Sequence, residues 1–151
     1  MRWAIARSAT LWTRWFLGEE RAAWQYPFGS LSRAGATIAA GSDWSVSSPN
    51  PLWGIHTAVN RVEPGLSERE FAERDVFYPS ETLNLGLAIA AYTAGSAYVN
   101  QLDDATGSIE PGKLADLVVL DRDPFDGPAA QIGETRVLRT FVAGAQVFTA
   151  E

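Results

Sequence analysis

The fold class of this chain is decided by the stretch Ala36-Thr37-Ile38-Ala39-Ala40-Gly41-Ser42-Asp43-Trp44. Its first five residues show no alternation of polar and apolar positions, which is typical of a short strand buried on both faces in a parallel sheet. A carboxylate directly after such a strand lies at the edge where barrel and open-sheet enzymes keep their active sites. The stretch therefore predicts an α/β fold and makes Asp43 the first candidate for a catalytic residue.

The residues around this strand predict the second half of an α/β unit. A helical segment opens at Glu19-Glu20-Arg21, restarts at Pro27 and stops at Gly35, where a glycine suits the residue after a helix. After the strand, the loop Ser45–Pro51 contains three serines and two prolines. Leu52–Arg61 then has apolar residues at helical spacing and predicts a helix.

Further helices are predicted in the middle of the chain. Val62–Pro79 is charged and rich in turn residues, which indicates an excursion on the surface. Ser80 is predicted to cap a helix that runs through Leu87 and Ala91, because serine is a favourable N-cap residue. Thr93 is predicted to cap a second, shorter helix over residues 94–99.

The last third of the chain has the pattern of β-structure. Leu114–Leu120 predicts a strand, and residues 137–142 and 146–148 predict a hairpin that turns at Ala143-Gly144. We expect the first strand to pair with this hairpin. The change of pattern predicts two regions, residues 1–106 and residues 107–151.

Composition excludes several classes of partner and chemistry. The net charge is −6 and no basic run is longer than a pair, which argues against nucleic acid or an anionic membrane surface as partner. The chain has no cysteine, so it forms no disulfide or thiolate metal site. It has no apolar stretch near the roughly 20 residues of a membrane span. Met1–Thr10 does not read as a signal peptide, and we expect a cytoplasmic protein.

The single histidine, His56, restricts the chemistry further. A self-contained catalytic zinc site usually takes three protein ligands, mostly histidines. A Ser-His-Asp triad would have to use His56 as its base. By spacing alone, Asp43 has a second interpretation: Ser42 or Asp43 caps the turn that follows the strand, as such residues often do.

Four features resemble, in the same order, the amidohydrolase superfamily, and most closely the branch of YtcJ-like amidohydrolases that includes N-substituted formamide deformylases. Together they span about residues 19–148, and the last of them is the most specific. They are Arg21-Ala22 … Tyr26-Pro27 … Ser30-Leu31 … Ala34-Gly35; Gly41-Ser42-Asp43-Trp44 with Asn50-Pro51-Leu52 and Ala58-Val59 … Arg61; Ala91-Tyr92-Thr93 with Ala97-Tyr98; and the run Gly107-Ser108-Ile109-Glu110-Pro111-Gly112-Lys113-Leu114-Ala115-Asp116-Leu117-Val118-Val119-Leu120-Asp121.

The resemblance implies a metal-dependent hydrolase with a (β/α)₈ barrel and a small composite β-sandwich. Residues 1–106 would be the C-terminal part of the barrel, with its last strand, and residues 107–151 would be strands of the sandwich. Asp43 would be a metal ligand and the general base for a metal-bound water, and the metal would be zinc or another divalent ion. The loop Ser45–Pro51 would line the pocket mouth, with Trp44 and Ser45 as substrate-loop candidates.

The chain also departs from the family pattern. The histidines and the bridging ligand that complete the family's metal site have no counterpart here, and His56 falls at a position that the pattern does not specify. Our first hypothesis is therefore a fragment of a hydrolase that acts on carbon–nitrogen bonds of small amides or formamides, inactive as an isolated chain. The second is a stand-alone, non-enzymatic binding module. For the fragment, exposed barrel surface predicts self-association, whereas the binding module would use that surface to bind a partner.

Overall fold

The computed structural model describes residues 7–73 and 76–151, so part of the Met1–Thr10 stretch lies outside the described residues. Its elements combine helices with one small sheet. The helices are α1 (Arg7–Ala22), α2 (Phe28–Arg33), α3 (Pro51–Asn60), α4 (Glu68–Glu73), α5 (Leu85–Tyr92) and α6 (Ala94–Val99), and the strands are β1 (Leu117–Leu120), β2 (Val137–Val142) and β3 (Ala145–Thr149). Short 3₁₀ turns occupy Pro79–Glu81 and Ala129–Glu134.

The core surrounds α3, the helix that follows the Asp43 loop. Helix α3 packs against α5 on one side and against the turn Ala129–Glu134 on the other. The buried residues of this core come from α3, α5, the last turn and the segment before α5: Leu52, Ile55, Leu83, Ala88 and Ile132. The late part of the chain therefore contributes Ile132 to the same core as the helices, while the boundary near residue 106 stays a prediction.

The predicted helix end at Gly35 is formed, but the helix predicted to open at Glu19 is the last part of α1, which begins at Arg7. Gly18 interrupts α1 with a non-helical backbone (φ 75°, ψ 163°). After α2, Gly35 has φ 85°, and the Ala36 N–H donates to the Leu31 carbonyl at 3.0 Å. Such a bond and a left-handed glycine are the usual way to satisfy the last carbonyls of a helix.

The buried strand predicted at Ala36–Ala40 is not formed. This segment has no regular secondary structure, and most of it is exposed. Among residues 7–73 and 76–151 no strand lies beside it, and a strand of a parallel sheet needs such neighbours to pair its backbone. The segment instead lies against α5 and α6: the Ala40 N–H donates to the Ala91 carbonyl at 2.9 Å, and Gly95 approaches the Ile38 carbonyl too closely for a side chain.

The predicted cap at Ser80 is wrong, and Asn84 takes that role. Ser80 lies inside the 3₁₀ turn, and its carbonyl accepts from the Arg33 side chain at 2.9 Å. Asn84 has an extended backbone, and its Oδ1 accepts from the Leu87 N–H at 2.8 Å, so α5 begins four residues later than Ser80 predicts. Thr93 precedes α6 without a side-chain cap, because its hydroxyl donates back to the Ile89 carbonyl.

The predicted pairing of the last strands is confirmed. The sheet has the order β1-β2-β3 and both pairs are antiparallel. The hairpin turns at Ala143 (φ 48°) and Gly144 (φ 81°), two left-handed residues that match the twist of a tight hairpin. Asp116 holds this turn, since its carboxylate accepts from the Ala143 N–H at 2.8 Å and from the Thr106 hydroxyl at 3.0 Å. The α/β composition is as predicted, without a barrel strand in the described part.

Candidate active site

Asp43 lies in the loop that joins the irregular 36–40 segment to α3. Its backbone has φ 52°, a left-handed conformation that is uncommon outside glycine but that asparagine and aspartate adopt more readily than other residues. The residue is exposed. From the part of the chain that the structure describes, no hydrogen bond or ion pair reaches the Asp43 carboxylate. Both oxygens are therefore available to a reactant or a ligand.

The turn after Asp43 is capped by Ser42. The Ser42 hydroxyl accepts from the Trp44 N–H at 3.2 Å, and the Asp43 carbonyl accepts from the Val46 N–H at 2.7 Å. The capping role that the sequence left open between Ser42 and Asp43 thus falls to Ser42. The carboxylate of Asp43 has no structural partner in the described chain, and its catalytic role stays a prediction.

Trp44 and Ser45 lie beside Asp43 on the same exposed loop. The Trp44 side chain is 70% exposed, and Ser45 is exposed as well. An exposed indole next to a free carboxylate offers an apolar surface beside a polar group, the combination that small-molecule sites use for binding and orientation. Their role as substrate-loop residues stays a prediction.

The described residues do not form a metal site. Nowhere in residues 7–73 or 76–151 do three side chains of His, Asp or Glu come together in a way that could hold an ion. A catalytic zinc ion usually needs three protein ligands, and Asp43 supplies one carboxylate. The donor set of the described chain therefore does not fit the metal that the family resemblance implies.

Arg61 fixes the far end of α3. It is 3% exposed and ends the helix in a left-handed conformation with φ 56°. Its Nε donates to the Phe77 carbonyl at 2.9 Å and its Nη1 to the Tyr26 carbonyl at 3.3 Å. The guanidinium also lies 5.0 Å from the centre of the Phe77 ring. Burial lowers the pKa of Arg61 to about 10, so the side chain is still charged at neutral pH.

Glu81 joins α2 to the turn before α5. Its buried carboxylate accepts from the Ser30 N–H and from the Ser30 hydroxyl, each at 2.7 Å, and lies 3.5 Å from Arg33 Nη2. Burial acts to raise the pKa of Glu81, but the two bonds from Ser30 and the charges of Arg33 and Arg61 outweigh it and lower the pKa. The Glu81 carboxylate therefore has a structural role: it joins the turn before α5 to helix α2.

His56 is buried between α3 and the turn Ala129–Glu134, with 1% of its surface exposed. Its Nδ1 accepts from the Gly133 N–H at 3.2 Å, and Asn60 Nδ2 lies 3.3 Å from the same atom. Asn60 in turn donates to the Ala129 carbonyl at 2.8 Å. His56 is therefore a buried residue of α3 that joins this helix to the chain preceding β2.

The stability of the chain is expected to fall as pH drops from 7 to 5, because of His56. Burial lowers its pKa to about 4 from 6.5, against a weaker upward effect of Glu134. Between those two values the unfolded chain binds a proton that the folded chain does not, so stability is complete above pH 6.5 and is lost as pH falls. The expected loss is about 2 kcal/mol between pH 7 and pH 5.

Urea unfolding at micromolar protein concentration, monitored by tryptophan fluorescence, measures this loss. The variant His56→Gln lacks the titrating group. The stability of this variant should change little between pH 7 and pH 5, although at pH 7 the variant is less stable than the unaltered chain. Equal pH dependence in the two proteins would show that His56 is not the cause. Glu81 adds a loss in the same direction only below its ordinary pKa, near 4.5.

Sequence reasoning missed the two buried groups that support this region. Glu81 bonds to Ser30, which lies 51 positions earlier in the chain, and Arg61 bonds to Tyr26, which lies 35 positions earlier. One signal was present, because Arg61 belongs to the second feature of the family resemblance. No local pattern distinguishes Glu81 from the exposed acidic residues around it.

Comparison with known proteins places the chain in a family. The model of the amidohydrolase family matches residues 1–148. The chain belongs to the amidohydrolase family, which confirms the resemblance seen in the sequence.

Two curated relatives and one solved structure show how much of such a protein the chain represents. The chain is 38% identical over 133 residues to Protein LONG AFTER FAR-RED 3 of Arabidopsis thaliana, covering 87% of this chain and 21% of that protein. It is 34% identical over 119 residues to N-substituted formamide deformylase of Arthrobacter pascens, and the match covers 79% of this chain and 20% of that protein. The crystal structure of an amidohydrolase from Thermotoga maritima MSB8 matches with a TM-score of 0.57 and 26% identity, covering 82% of this chain and 26% of that one.

The chain therefore spans about a fifth of the length of the curated relatives it matches. Its matches include proteins named as hydrolases, and they do not favour the stand-alone binding module. No helix in the described ranges is long and apolar enough to cross a membrane.

Proposed function

We propose that this chain is the C-terminal part of a metal-dependent hydrolase that acts on carbon–nitrogen bonds of small amides or formamides. The observation that carries the proposal is the exposed carboxylate of Asp43, which has no hydrogen-bond partner among the described residues, in a chain that matches the amidohydrolase family over residues 1–148. The relative named N-substituted formamide deformylase supports the substrate class.

Asp43 acts as the general base in this proposal. A carboxylate with both oxygens free can take a proton from an attacking water and return it to the leaving amine, which is the proton transfer that amide hydrolysis needs. The exposed loop gives substrate access to it. Trp44 lies next in the chain and supplies an apolar face for the N-substituent, and Ser45 supplies a hydroxyl for a polar group of the substrate.

The site is completed by residues outside this chain. The described residues contribute one carboxylate to a donor set that needs about three, so the remaining ligands of the divalent ion, which we propose to be zinc, belong to the rest of the assembled protein. When bound, such an ion polarises a carbonyl and makes water more acidic. The isolated chain is inactive for this reason.

A turnover assay of the purified 151-residue chain tests this incompleteness. We expect hydrolysis of N-substituted formamides at the uncatalysed rate, both without metal and with added zinc, because Asp43 alone cannot hold the ion. Asp43→Asn should be indistinguishable from the unaltered chain. Turnover that Asp43→Asn abolishes would contradict the proposal that the site is shared with residues elsewhere.

A further inference from the structure

Asp43 is held in its unusual backbone conformation by hydrogen bonds to the two peptide groups beside it. The rotation φ of Asp43 is set by the peptide that joins it to Ser42, and ψ by the peptide that joins it to Trp44. A left-handed conformation costs a non-glycine residue free energy, so it persists only where the surroundings fix it.

The peptide after Asp43 is fixed within the turn itself. Its carbonyl accepts from the Val46 N–H at 2.7 Å, and its N–H, which belongs to Trp44, donates to the Ser42 hydroxyl at 3.2 Å. Both bonds come from residues within three positions of Asp43. They form whenever the turn forms, and they leave the peptide before Asp43 undetermined.

The peptide before Asp43 is fixed from further away, by Ser47. The Ser47 hydroxyl donates to the Ser42 carbonyl and closes the loop over five residues. Ser47 is 5% exposed, although the residues on either side of Asp43 are solvent-accessible. Because Ser47 is buried, its hydroxyl has little freedom to move away from this carbonyl.

We propose that Ser47 is the positioning residue of this site: it sets the backbone of Asp43 and thereby the direction of the free carboxylate. Ser47 does not touch a reactant. Its catalytic consequence rests on the proposed function of Asp43, whereas its structural effect on Asp43 does not. Replacing Ser47 therefore changes the loop even if Asp43 has another role.

Neighbouring Ser48 provides a matched control. Its hydroxyl accepts from the Asn50 N–H at 3.2 Å and belongs to the part of the loop that leads into α3. Asn50 caps α3 by accepting from the Leu52 N–H at 3.0 Å. Ser48→Ala thus removes the same chemical group from the same loop, without removing a bond to either peptide of Asp43.

Amide hydrogen exchange in the full chain, resolved to single residues, tests the proposal. We expect Ser47→Ala to speed exchange of the Val46 amide roughly tenfold, because losing one buried bond opens the turn that contains the Asp43–Val46 bond. Ser48→Ala should change that rate less than twofold by the same argument. Ser47→Thr keeps the hydroxyl and should restore most of the protection.

The outcomes separate this proposal from the proposed function. Unchanged protection of Val46 in Ser47→Ala, or loss of protection that Ser47→Thr does not restore, would overturn the positioning role and leave the role of Asp43 intact. If Ser47→Ala loses protection throughout α3 and α5 as well, Ser47 supports the whole fold, and the proposal is again overturned. Inactivity of Asp43 in a complete enzyme would overturn the proposed function and leave the exchange result standing.

Discussion

Replacement of Asp43 by asparagine is expected to lower kcat/KM roughly 10³-fold in an enzyme that incorporates this chain, the usual scale for loss of a general base. The suitable enzyme is a chimera in which the chain replaces the matching fifth of the Arthrobacter pascens deformylase. Asparagine has nearly the shape of aspartate but does not accept a proton at neutral pH. Its effect therefore reports the loss of the base, with little change in packing at this exposed position.

Asp104→Asn is the control for this substitution. Asp104 is an exposed carboxylate in a turn after α6, so its replacement changes the net charge by the same amount. We expect kcat/KM of that variant to stay within about twofold of the unaltered chimera, as for most surface changes. An Asp43→Asn chimera as active as the Asp104→Asn chimera would exclude Asp43 as the base.

The isolated chain is expected to self-associate and to bind the dye ANS, because apolar side chains on one face of its sheet are about half exposed. Thr140 pairs with Val118 on one side and with Phe148 on the other, so these three side chains share a face. Val142, two residues beyond Thr140 along β2, points the same way. Val118, Val142 and Phe148 are 57%, 52% and 48% exposed. Contiguous apolar patches beyond a few hundred Å² usually drive association.

Light scattering over a range of concentrations, with dye fluorescence and near-UV circular dichroism, measures this association. The double variant Val142→Lys/Phe148→Lys should form assemblies of lower average mass than the unaltered chain and should bind much less dye. Ile109→Lys is the control, since Ile109 is 87% exposed but lies outside the sheet. A monodisperse monomer that binds no dye, with sharp signals from the six tryptophans and cooperative melting, would contradict the expectation.

Local patterns predicted most of the secondary structure correctly. The hairpin of β2 and β3 was identified from alternation and the Ala143-Gly144 turn, both of which depend on neighbouring residues alone. The same holds for α3, whose apolar spacing is visible in one short window. Ser80 was mistaken for a cap because serine and asparagine are both favourable there, and only the position of the turn Pro79–Glu81 makes Asn84 the capping residue.

The segment 36–40 shows where such reasoning fails. An apolar run predicts a buried strand only if neighbouring strands exist, and the run itself carries no information about them. In the described chain the segment instead packs against α5 and α6. The candidate site follows the same division. The place of Asp43 after the run makes it a candidate, and its role stays a prediction. The support from Ser47 depends on burial, which the serine-rich loop sequence does not reveal.

Zinc content after exhaustive dialysis is the measurement for the claim that Asp43 belongs to a site whose other ligands lie outside this chain. We expect the isolated chain to retain no stoichiometric zinc, whereas the chimera retains it and loses much of it upon Asp43→Asn. Ligand number governs this difference, because one exposed carboxylate binds a divalent ion only weakly. Stoichiometric zinc held by the isolated chain and released by Asp43→Asn would contradict the claim.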